Sequence, residues 1–186
     1  MKKNEIGSVI IIGCKLLLIC AIVAGVVSFV YALTAERYEE NIQKTKNEAI
    51  EAIFNVEGLT FVEMTAEGIE EPVYKVYNGE VLVGYCVEVA SSGFGGDIRL
   101  MVGYTADTSV LGVRVISHAE TPGLGSKVAE DGFLSRFVGS VDSVTLGDEI
   151  DAISGATISS RAVTEGVNRA FAVLQSVLSE NGGAIR

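Results

Sequence analysis

Three segments of the sequence concentrate glycines and hydroxyl side chains where a fold would ordinarily use simple turns. The first is the run 91–97, spelled SSGFGGD, which contains Gly95. The second is the octet 118–125, spelled HAETPGLG, and the third is 151–160, spelled DAISGATISS. Glycines let the backbone approach a bound molecule closely, and hydroxyls supply hydrogen-bond donors and acceptors. The three segments are therefore the candidates for a binding site.

The third segment is the most informative, because it lies immediately before the last amphipathic stretch. Small residues at Ser154, Gly155 and Ala156 permit close approach, and Thr157 places a hydroxyl at the start of a predicted helix. The free N–H groups and the dipole of a helix N-terminus favour an anion without any basic side chain. A phosphate site and an ordinary capped helix are equally compatible with these residue types, since Ser and Thr are common N-caps.

Several other chemistries lack their motifs in this chain. There is no GxGxxG and no GxxxxGK[ST], so the common dinucleotide and triphosphate cradles are absent. The lone His118 is not accompanied by a GxSxG elbow, which argues against a Ser-His-Asp hydrolase. Cys14 and Cys20 fall in the apolar N-terminal run and Cys86 stands alone beyond it. This spacing predicts neither an internal disulfide, nor a metal site, nor an iron–sulfur cluster.

The N-terminal region predicts a membrane anchor. Residues Leu16 to Leu33 form 18 consecutive uncharged positions, and a helix rising about 1.5 Å per residue needs roughly 20 apolar residues to cross a bilayer core of about 30 Å. We expect a transmembrane helix over 9–33. A soluble core helix would show a polar face, and a cleaved signal peptide would have a shorter apolar centre and a small-residue cleavage site. The run has neither feature.

The distribution of charge predicts the orientation of this anchor. Lys2 and Lys3 precede the span and Lys15 lies near the same end, whereas residues 34–186 hold 11 Lys and Arg against 23 Asp and Glu. Positive charge stays in the cytoplasm, so we expect residues 1–8 to be cytoplasmic and the rest of the chain to be extracytoplasmic. Such an acidic domain offers no basic stripe to phosphates, which argues against nucleic acid as a partner.

Beyond the span, the spacing of the apolar residues changes from that of a helix to that of strands. Residues 34–54 predict a charged helix within a stalk and connection assigned to 34–71, and from Pro72 the period changes to that of strands. Asn78-Gly79 is a strong hairpin signal. The predicted strands are Val73–Tyr77, Val81–Val89, Asp97–Tyr104, Val110–Ser117 and the short Val141–Thr145. Cys86 lies in the second of these and is interpreted as a core filler.

Two helices are predicted after the main strands. Ser126 is the expected cap of one that runs to about Val138, and the other begins near Ser159 and is stopped by Gly182-Gly183. Strands followed by helices favour a single α+β domain over 72–186, attached to the one N-terminal transmembrane helix.

Two segments of the sequence resemble motifs of a known family. The segment 151–157, DAISGAT, resembles the flavinylation motif of the FMN-binding domain family, in which the last Thr is esterified to the FMN phosphate. The octet 118–125 resembles the second signature of that family's Rnf branch, which comprises the G subunits of ion-translocating electron transport complexes. The two motifs stand in the family's order, and the resemblance covers nearly the whole chain.

The resemblance implies which residues hold the cofactor. Thr157 would carry covalent FMN, transferred from FAD by a separate flavin transferase. The residues expected to form the recognition surroundings of Thr157 are Asp151, Ser154, Gly155 and Ala156. The octet would face the flavin ring, with Thr121 and Leu124 as the foremost contacts. The other residues expected near the ring are Glu120, Gly123, Gly125 and Gly95. His118 is either a group beside the ring or a structural histidine.

The same resemblance implies a function. The chain would be the electron-carrier subunit of a membrane-bound ferredoxin:NAD oxidoreductase that couples electron transfer to ion transport. Its partners would be the other membrane and peripheral subunits, the flavin transferase during maturation, and membrane lipid. Three alternatives stay open. They are a non-redox extracytoplasmic binding or sensor domain, a stand-alone flavoprotein, and the C subunit of a sodium-pumping NADH:quinone reductase, which shares the architecture and is expected to be longer.

Overall fold

The chain divides into two compact units. The computed structural model describes residues 3–182, and the side chains at 3–10, 35–36 and 38–40 lie outside that description. One unit extends to residue 44 and the other begins at residue 45. The helix α1 (Lys3–Phe54) begins in the first unit and ends in the second, and among the described residues it contains one stretch, Ile11–Thr34, that is long and apolar enough to cross a membrane. Its large apolar side chains are exposed.

The helix α1 ends at Phe54 and covers the predicted helical segment 34–54, which confirms that prediction. Asn55 follows in the left-handed conformation, with φ of 53°. The backbone N–H of Gly58 then donates to Oε1 of Glu51 at 3.1 Å. A left-handed Asn directly after the last turn is a common way to end a helix, because its side chain tolerates positive φ.

A five-stranded antiparallel sheet with the simple order β1-β2-β3-β4-β5 forms the centre of the second unit. Its strands are β1 (Thr60–Met64), β2 (Val73–Asn78), β3 (Val81–Ser92), β4 (Asp97–Thr105) and β5 (Val110–Ser117). Four of them confirm the predicted alternation. The edge strand β1 was not predicted and lies in the segment 34–71 assigned to the stalk and connection. Most of its side chains are at least partly exposed, so its apolar pattern is weak. The domain boundaries themselves stay a prediction.

The β2–β3 hairpin is confirmed, with its turn one residue further along than predicted. Asn78 pairs with Val81, so Gly79 and Glu80 form the two-residue loop. Gly79 has φ of 62°. A glycine at the first central position is the requirement of a type II′ turn, whose twist matches that of the flanking strands.

Each face of the sheet is covered by a helix. The helix α3 (Thr157–Glu180) packs on one face against β3 and β4. Buried on that side are Val87, Leu100, Val102, Val163, Val167 and Leu174. The last turns of α1 cover the other face. Buried there are Ala49, Ile50, Ile53, Val76, Cys86 and Met101. The predicted α+β class is confirmed, and so is the core position of Cys86, which is fully buried.

The helix predicted from Ser126 to Val138 is wrong as a single element. The segment forms a 3₁₀ turn over Gly125–Ala129, the short helix α2 (Asp131–Leu134) and a second 3₁₀ turn over Ser135–Phe137. Glu130 is extended, with φ of −78° and ψ of 144°, and separates the first two pieces. The break still allows the four large apolar residues of the segment to reach the core.

The predicted roles of two neighbouring segments also fail. Ser126 does not cap a helix, because its Oγ accepts a hydrogen bond from the Gly123 N–H at 2.9 Å and closes a turn within the octet. No strand forms over 141–145 either. The backbone N–H of Val144 donates to Oδ1 of Asn168 at 2.9 Å, and Nδ2 of Asn168 donates to the Val144 carbonyl at 2.8 Å. A side-chain amide on α3 thus takes the place of a partner strand.

We predict that a methyl group added at Gly103 or at Gly112, both next to Ile53, destabilises the fold by different amounts. A Cβ at Gly103 would lie 2.3 Å from Cγ2 of Ile53, whereas one at Gly112 would lie 3.3 Å from the same atom. Gly103→Ala should therefore lower the free energy of unfolding by about 1–3 kcal/mol, the usual cost of overpacking, and Gly112→Ala should cost less. Urea denaturation of the full chain in detergent measures both changes.

The matched rescue is Ile53→Ala, which removes the atom that clashes. In the Ile53→Ala background, Gly103→Ala should cost clearly less than it does alone, because the two sites are in contact and their effects are not additive. Equal costs in both backgrounds would show that α1 does not pack closely on β4 at this point.

Candidate functional site

The topology of the sheet brings the three segments to one end of the second unit. The β3–β4 turn lies between Ser92 and Asp97, and β5 ends at Ser117, which pairs with Arg99 near the start of β4. The octet follows β5 directly. The helix α3 lies on β3 and β4 and begins at Thr157. Segments far apart in sequence therefore surround one cavity of about 330 Å³.

The cavity is lined by residues from all three segments. They are Phe94, Glu120, Thr121, Leu124, Gly125, Gly155, Ala156, Thr157, Ile158 and Ser159. Seven of the predicted site residues are among them. Asp151, Ser154, Gly123 and Gly95 do not line the cavity, although each lies in one of the same segments.

One buried carboxylate joins the three segments. Oε1 of Glu120 accepts hydrogen bonds from the backbone N–H groups of Phe94 at 2.7 Å and Gly95 at 3.1 Å. Oε2 accepts a hydrogen bond from the Ser159 hydroxyl at 2.6 Å. Glu120 is only 5% exposed. A buried charge is tolerated only when it is hydrogen-bonded, and these donors meet that requirement.

Two glycines make room for this carboxylate. A Cβ at Gly93 would lie 2.2 Å from Oε1 of Glu120, and one at Gly125 would lie 2.4 Å from Oε2. Both distances are shorter than any real carbon–oxygen contact. Position 95 requires glycine for a different reason, since a Cβ there would lie 2.2 Å from the Ala119 carbonyl oxygen. These glycines are thus explained by close packing around residues 119–120, and Gly95 contributes its N–H to Glu120 rather than a surface of the cavity.

The surroundings of Glu120 act on its acidity in opposite directions. Burial by itself raises the pKa of the carboxyl group, because the charged form loses water. The hydrogen bonds from Ser159, Gly95 and Phe94 and the nearby His118 act the other way and leave the pKa below its usual value. The group is therefore held as the ionised carboxylate. His118 itself is exposed, and its Nδ1 accepts the Glu120 N–H at 3.2 Å, which supports its interpretation as a structural histidine.

The start of α3 lacks a side-chain cap. The helix begins at Thr157, two residues earlier than predicted, and Ala156 occupies the N-cap position with no side-chain oxygen to offer. The first N–H groups of the helix are therefore available to another acceptor. Thr157 is exposed, and it lies at the N-terminal end of the helix dipole. The arrangement suits a phosphate joined or bound at Thr157.

The turn that presents Thr157 is fixed from within. The Ser160 hydroxyl donates to the Ala156 carbonyl at 2.9 Å and accepts the Ile153 N–H at 3.0 Å. Gly155 has φ of 79°, a conformation that other residues rarely adopt. At the other end of the segment, Nη1 of Arg136 donates to the Asp151 carbonyl at 2.7 Å. The Ser160 hydroxyl thus fixes its own segment, whereas the Ser159 hydroxyl binds Glu120 of the octet.

Exposed apolar side chains surround the opening of the cavity. Phe94 is 71% exposed, Leu124 is 46% exposed and Ile158 is 55% exposed. Three large apolar side chains from three segments around one cavity are typical of a ligand site rather than of ordinary surface. The sequence analysis missed Phe94, Ile158 and Ser159. Each lies inside a segment that it singled out, and no spacing rule selected the individual residue.

Comparisons with known proteins find relatives that match most of the chain. The model of a family described as "FMN-binding domain" matches residues 93–172, which include the β3–β4 turn, the octet and the start of α3. The G subunit of the Na(+)-translocating ferredoxin:NAD(+) oxidoreductase complex of Acetobacterium woodii is 33% identical, with 89% of this chain and 91% of that protein covered. The G subunit of the ion-translocating oxidoreductase complex of Methanosarcina acetivorans is 34% identical, with 90% and 94% covered. The chain belongs to this family of G subunits.

Further relatives extend the match. The G subunit of the proton-translocating ferredoxin:NAD(+) oxidoreductase complex of Clostridium ljungdahlii is 29% identical, and 98% of each chain is covered. The crystal structure of Shewanella oneidensis NqrC is similar, with a TM-score of 0.51 and 25% identity over 66% of this chain and 70% of that one. The C subunit of the Na(+)-translocating NADH-quinone reductase from Parabacteroides distasonis has a TM-score of 0.56 at 17% identity, with 78% of this chain and 96% of that one covered, which shows a shared fold alone.

The residues of this G-subunit chain fit the cofactor that the family model names. FMN has a dianionic phosphate and a large planar ring. The uncapped N-terminus of α3 offers N–H groups to the phosphate, and Phe94, Leu124 and Ile158 offer apolar surface to the ring. The domain is accordingly an FMN-binding domain. The contacts of individual residues with FMN stay a prediction.

We predict that the lowered pKa of Glu120 makes stability depend on pH. The folded-state pKa lies below the usual value of 4.5. Stabilisation by the carboxylate is therefore fully present above pH 4.5 and is lost as the pH falls through the folded-state pKa. Glu120→Gln should cost on the order of 2 kcal/mol at neutral pH, because hydrogen bonds to a charged acceptor are replaced by neutral ones.

Urea denaturation of the full chain in detergent, followed from pH 7 to pH 3, tests this dependence. The difference between wild type and Glu120→Gln should shrink below pH 4.5. Glu80→Gln removes one exposed carboxylate from the β2–β3 turn and is the control for loss of a negative charge. A difference that stays constant over the whole range would contradict the ionised state assigned to Glu120.

Proposed function

We propose that this chain is the electron-carrying G subunit of a membrane-bound, ion-translocating ferredoxin:NAD⁺ oxidoreductase complex, with FMN attached covalently to Thr157. The observation that carries the proposal is the exposed Thr157 at the uncapped start of α3, beside a cavity with an apolar rim. The names of the relatives support the kind of complex. Because those names differ in the ion translocated, the coupling ion is not part of the proposal.

Attachment would form a phosphoester between Oγ1 of Thr157 and the FMN phosphorus. A separate flavin transferase would break the pyrophosphate bond of FAD, with AMP as the leaving group and the Thr157 hydroxyl proton lost. The exposed position of Thr157 allows such an enzyme to reach the hydroxyl. Asp151, Ser154, Gly155 and Ala156 would form the recognised segment, and the exposure of Asp151 and Ser154 supports this role.

After attachment, the chain's own residues would bind and orient the group. The N–H groups of the first turn of α3 stabilise the phosphate charge that remains in the diester. Thr121 and Leu124 face the cavity in which the ring would lie, and Gly155 admits the backbone close to Leu124, since a Cβ there would lie 3.1 Å from Cδ1 of Leu124. When bound, FMN supplies the redox chemistry and the protein supplies position and electrostatic environment.

The same proposal assigns the chain a place in the membrane. Ile11–Thr34 would be a single transmembrane helix in the cytoplasmic membrane, in contact with lipid and with other membrane subunits of the complex. The excess of basic residues before the span supports a cytoplasmic N-terminus and an extracytoplasmic FMN domain. A related second candidate is the C subunit of a sodium-pumping quinone reductase, which the similarity to Shewanella oneidensis NqrC favours. The longer matches to the G subunits support the first candidate instead.

We predict that Thr157→Ala abolishes covalent flavin. Native protein should exceed its sequence mass by one esterified FMN and should fluoresce after denaturing electrophoresis, whereas the variant should lose both properties because no hydroxyl remains to form the ester. The matched control is Thr121→Ala, which removes another exposed threonine hydroxyl from the same cavity. Covalent flavin retained in Thr157→Ala, or lost only in Thr121→Ala, would show that the attachment residue is misassigned.

The orientation can be tested at the β2–β3 turn. Asn78 is exposed, and Cys86 is fully buried, so Asn78→Cys introduces a reachable thiol on the second unit. We expect a membrane-impermeant maleimide to label this variant from the extracytoplasmic side of intact cells or spheroplasts. Wild type is the control for its own three cysteines. Labelling that requires disruption of the cytoplasmic membrane would reverse the proposed topology.

A further inference from the structure

Both carboxylate oxygens of Glu120 are already engaged by hydrogen bonds within the protein. Its carboxylate accepts hydrogen bonds from Phe94, Gly95 and Ser159, all within 3.1 Å. An ionised carboxylate has about four lone-pair positions, so three of them are taken by the protein. The group is also buried among three segments. Little of it remains for a ligand, although it lies at the cavity wall.

Phe94 presents the opposite combination. Its backbone N–H donates to Glu120, while the residue is 71% exposed and lines the cavity. Gly93, Gly95 and Gly96 flank it, and the Gly93 N–H donates to the Gly96 carbonyl at 2.9 Å. Glycines leave a turn flexible unless something holds its backbone. In this turn the Glu120 carboxylate holds the amides of Phe94 and Gly95 and joins them to the octet.

We propose that Phe94 forms an apolar wall of the flavin cavity and that Glu120 is a positioning residue that acts on the flavin through Phe94. This inference rests on the proposed function, since the wall acts on a bound flavin. The phenyl ring lies on the β3–β4 turn, whereas Leu124 and Ile158 lie on the other two segments. An aromatic face held among these apolar side chains suits a planar conjugated ring, which prefers offset-stacked or edge contacts.

The steric requirements around Glu120 support a positioning role. A side chain at either Gly93 or Gly125 would collide with the carboxylate, so the turn and the octet are both shaped to receive it. Ser159 lies in the first turn of α3, two residues after Thr157. The carboxylate thereby sets the position of Phe94 relative to the helix end that would carry the FMN phosphate.

The test uses the full chain in detergent with FMN attached, and it has two readouts. Hydrogen exchange of the Phe94 and Gly95 amides reports whether Glu120 holds the turn. Fluorescence and visible circular dichroism of the attached flavin report whether the wall acts on the ring. The variants are Glu120→Ala, Glu120→Gln, Phe94→Ala and the double variant, with Glu80→Ala as the control for loss of an exposed carboxylate.

We expect Glu120→Ala to raise the exchange rate of both amides roughly tenfold, because each loses its acceptor. Glu120→Gln keeps an acceptor oxygen but loses the charge, so exchange of both amides should rise by less than in Glu120→Ala. If Glu120→Ala does not fold, the exchange rates of the two amides in Glu120→Gln test the positioning role instead. Phe94→Ala should increase flavin fluorescence and weaken its circular dichroism while FMN stays attached. Amides that remain protected in Glu120→Ala would overturn the positioning role.

The double variant separates the action through Phe94 from direct action on the flavin. Once Phe94 is removed, Glu120→Ala should cause no further change in the flavin signals, because interacting sites are not additive. A further change would show that the carboxylate acts on the flavin directly and would overturn the inference. Unchanged flavin signals in Phe94→Ala would overturn the proposal that Phe94 forms a wall of the flavin cavity.

A wild-type protein without flavin would refute the proposed function instead. The exchange readout still decides in that case whether Glu120 holds Phe94. It can be run on Thr157→Ala, in which the turn and the octet are unaltered. Loss of amide protection on adding Glu120→Ala to that background supports the positioning role, and unchanged protection overturns it.

Discussion

The site depends on the Glu120 carboxylate, which is buried and accepts hydrogen bonds from the β3–β4 turn and from α3. Leaving a charge in the interior is costly unless donors surround it, so Phe94, Gly95 and Ser159 must lie where their N–H and O–H groups reach its oxygens. That requirement couples the β3–β4 turn, the octet and the first turn of α3. The glycines at the closest approaches follow from the same requirement.

The sheet provides the frame in which this coupling is possible. Its meander order places the β3–β4 turn and the end of β5 at the same end of the domain. The helix α3 begins at that end and packs along β3 and β4. The helix is held by a core that includes Val163, Val167 and Leu174. The end of α1 covers the opposite face. A site built on packed strands and a long helix is positioned more firmly than one built on loops alone, which suits a cofactor that must exchange electrons at a defined place.

The start of α3 offers an anion a site that needs no basic side chain. The chain carries a net charge of −10, and the cavity lining includes no Lys or Arg among the residues that the structure describes. Backbone N–H groups at the uncapped start of α3 can still stabilise an anion at short range, because their dipoles are fixed and point at it. The acidic remainder of the domain would disfavour additional negative charge on a bound flavin.

The sequence by itself determined the elements whose patterns are local. Alternation predicted four strands, apolar spacing predicted α3, and the spelling of 118–125 and 151–157 indicated the family and its cofactor. Only the tertiary structure decided that Phe94, 26 residues from Glu120, and Ser159, 39 residues from it, share one carboxylate. It also replaced the predicted strand 141–145 by contacts with Asn168. The physical reason is that periodicity records which face of an element is buried, whereas a hydrogen bond between distant segments depends on register and packing, which no local pattern contains.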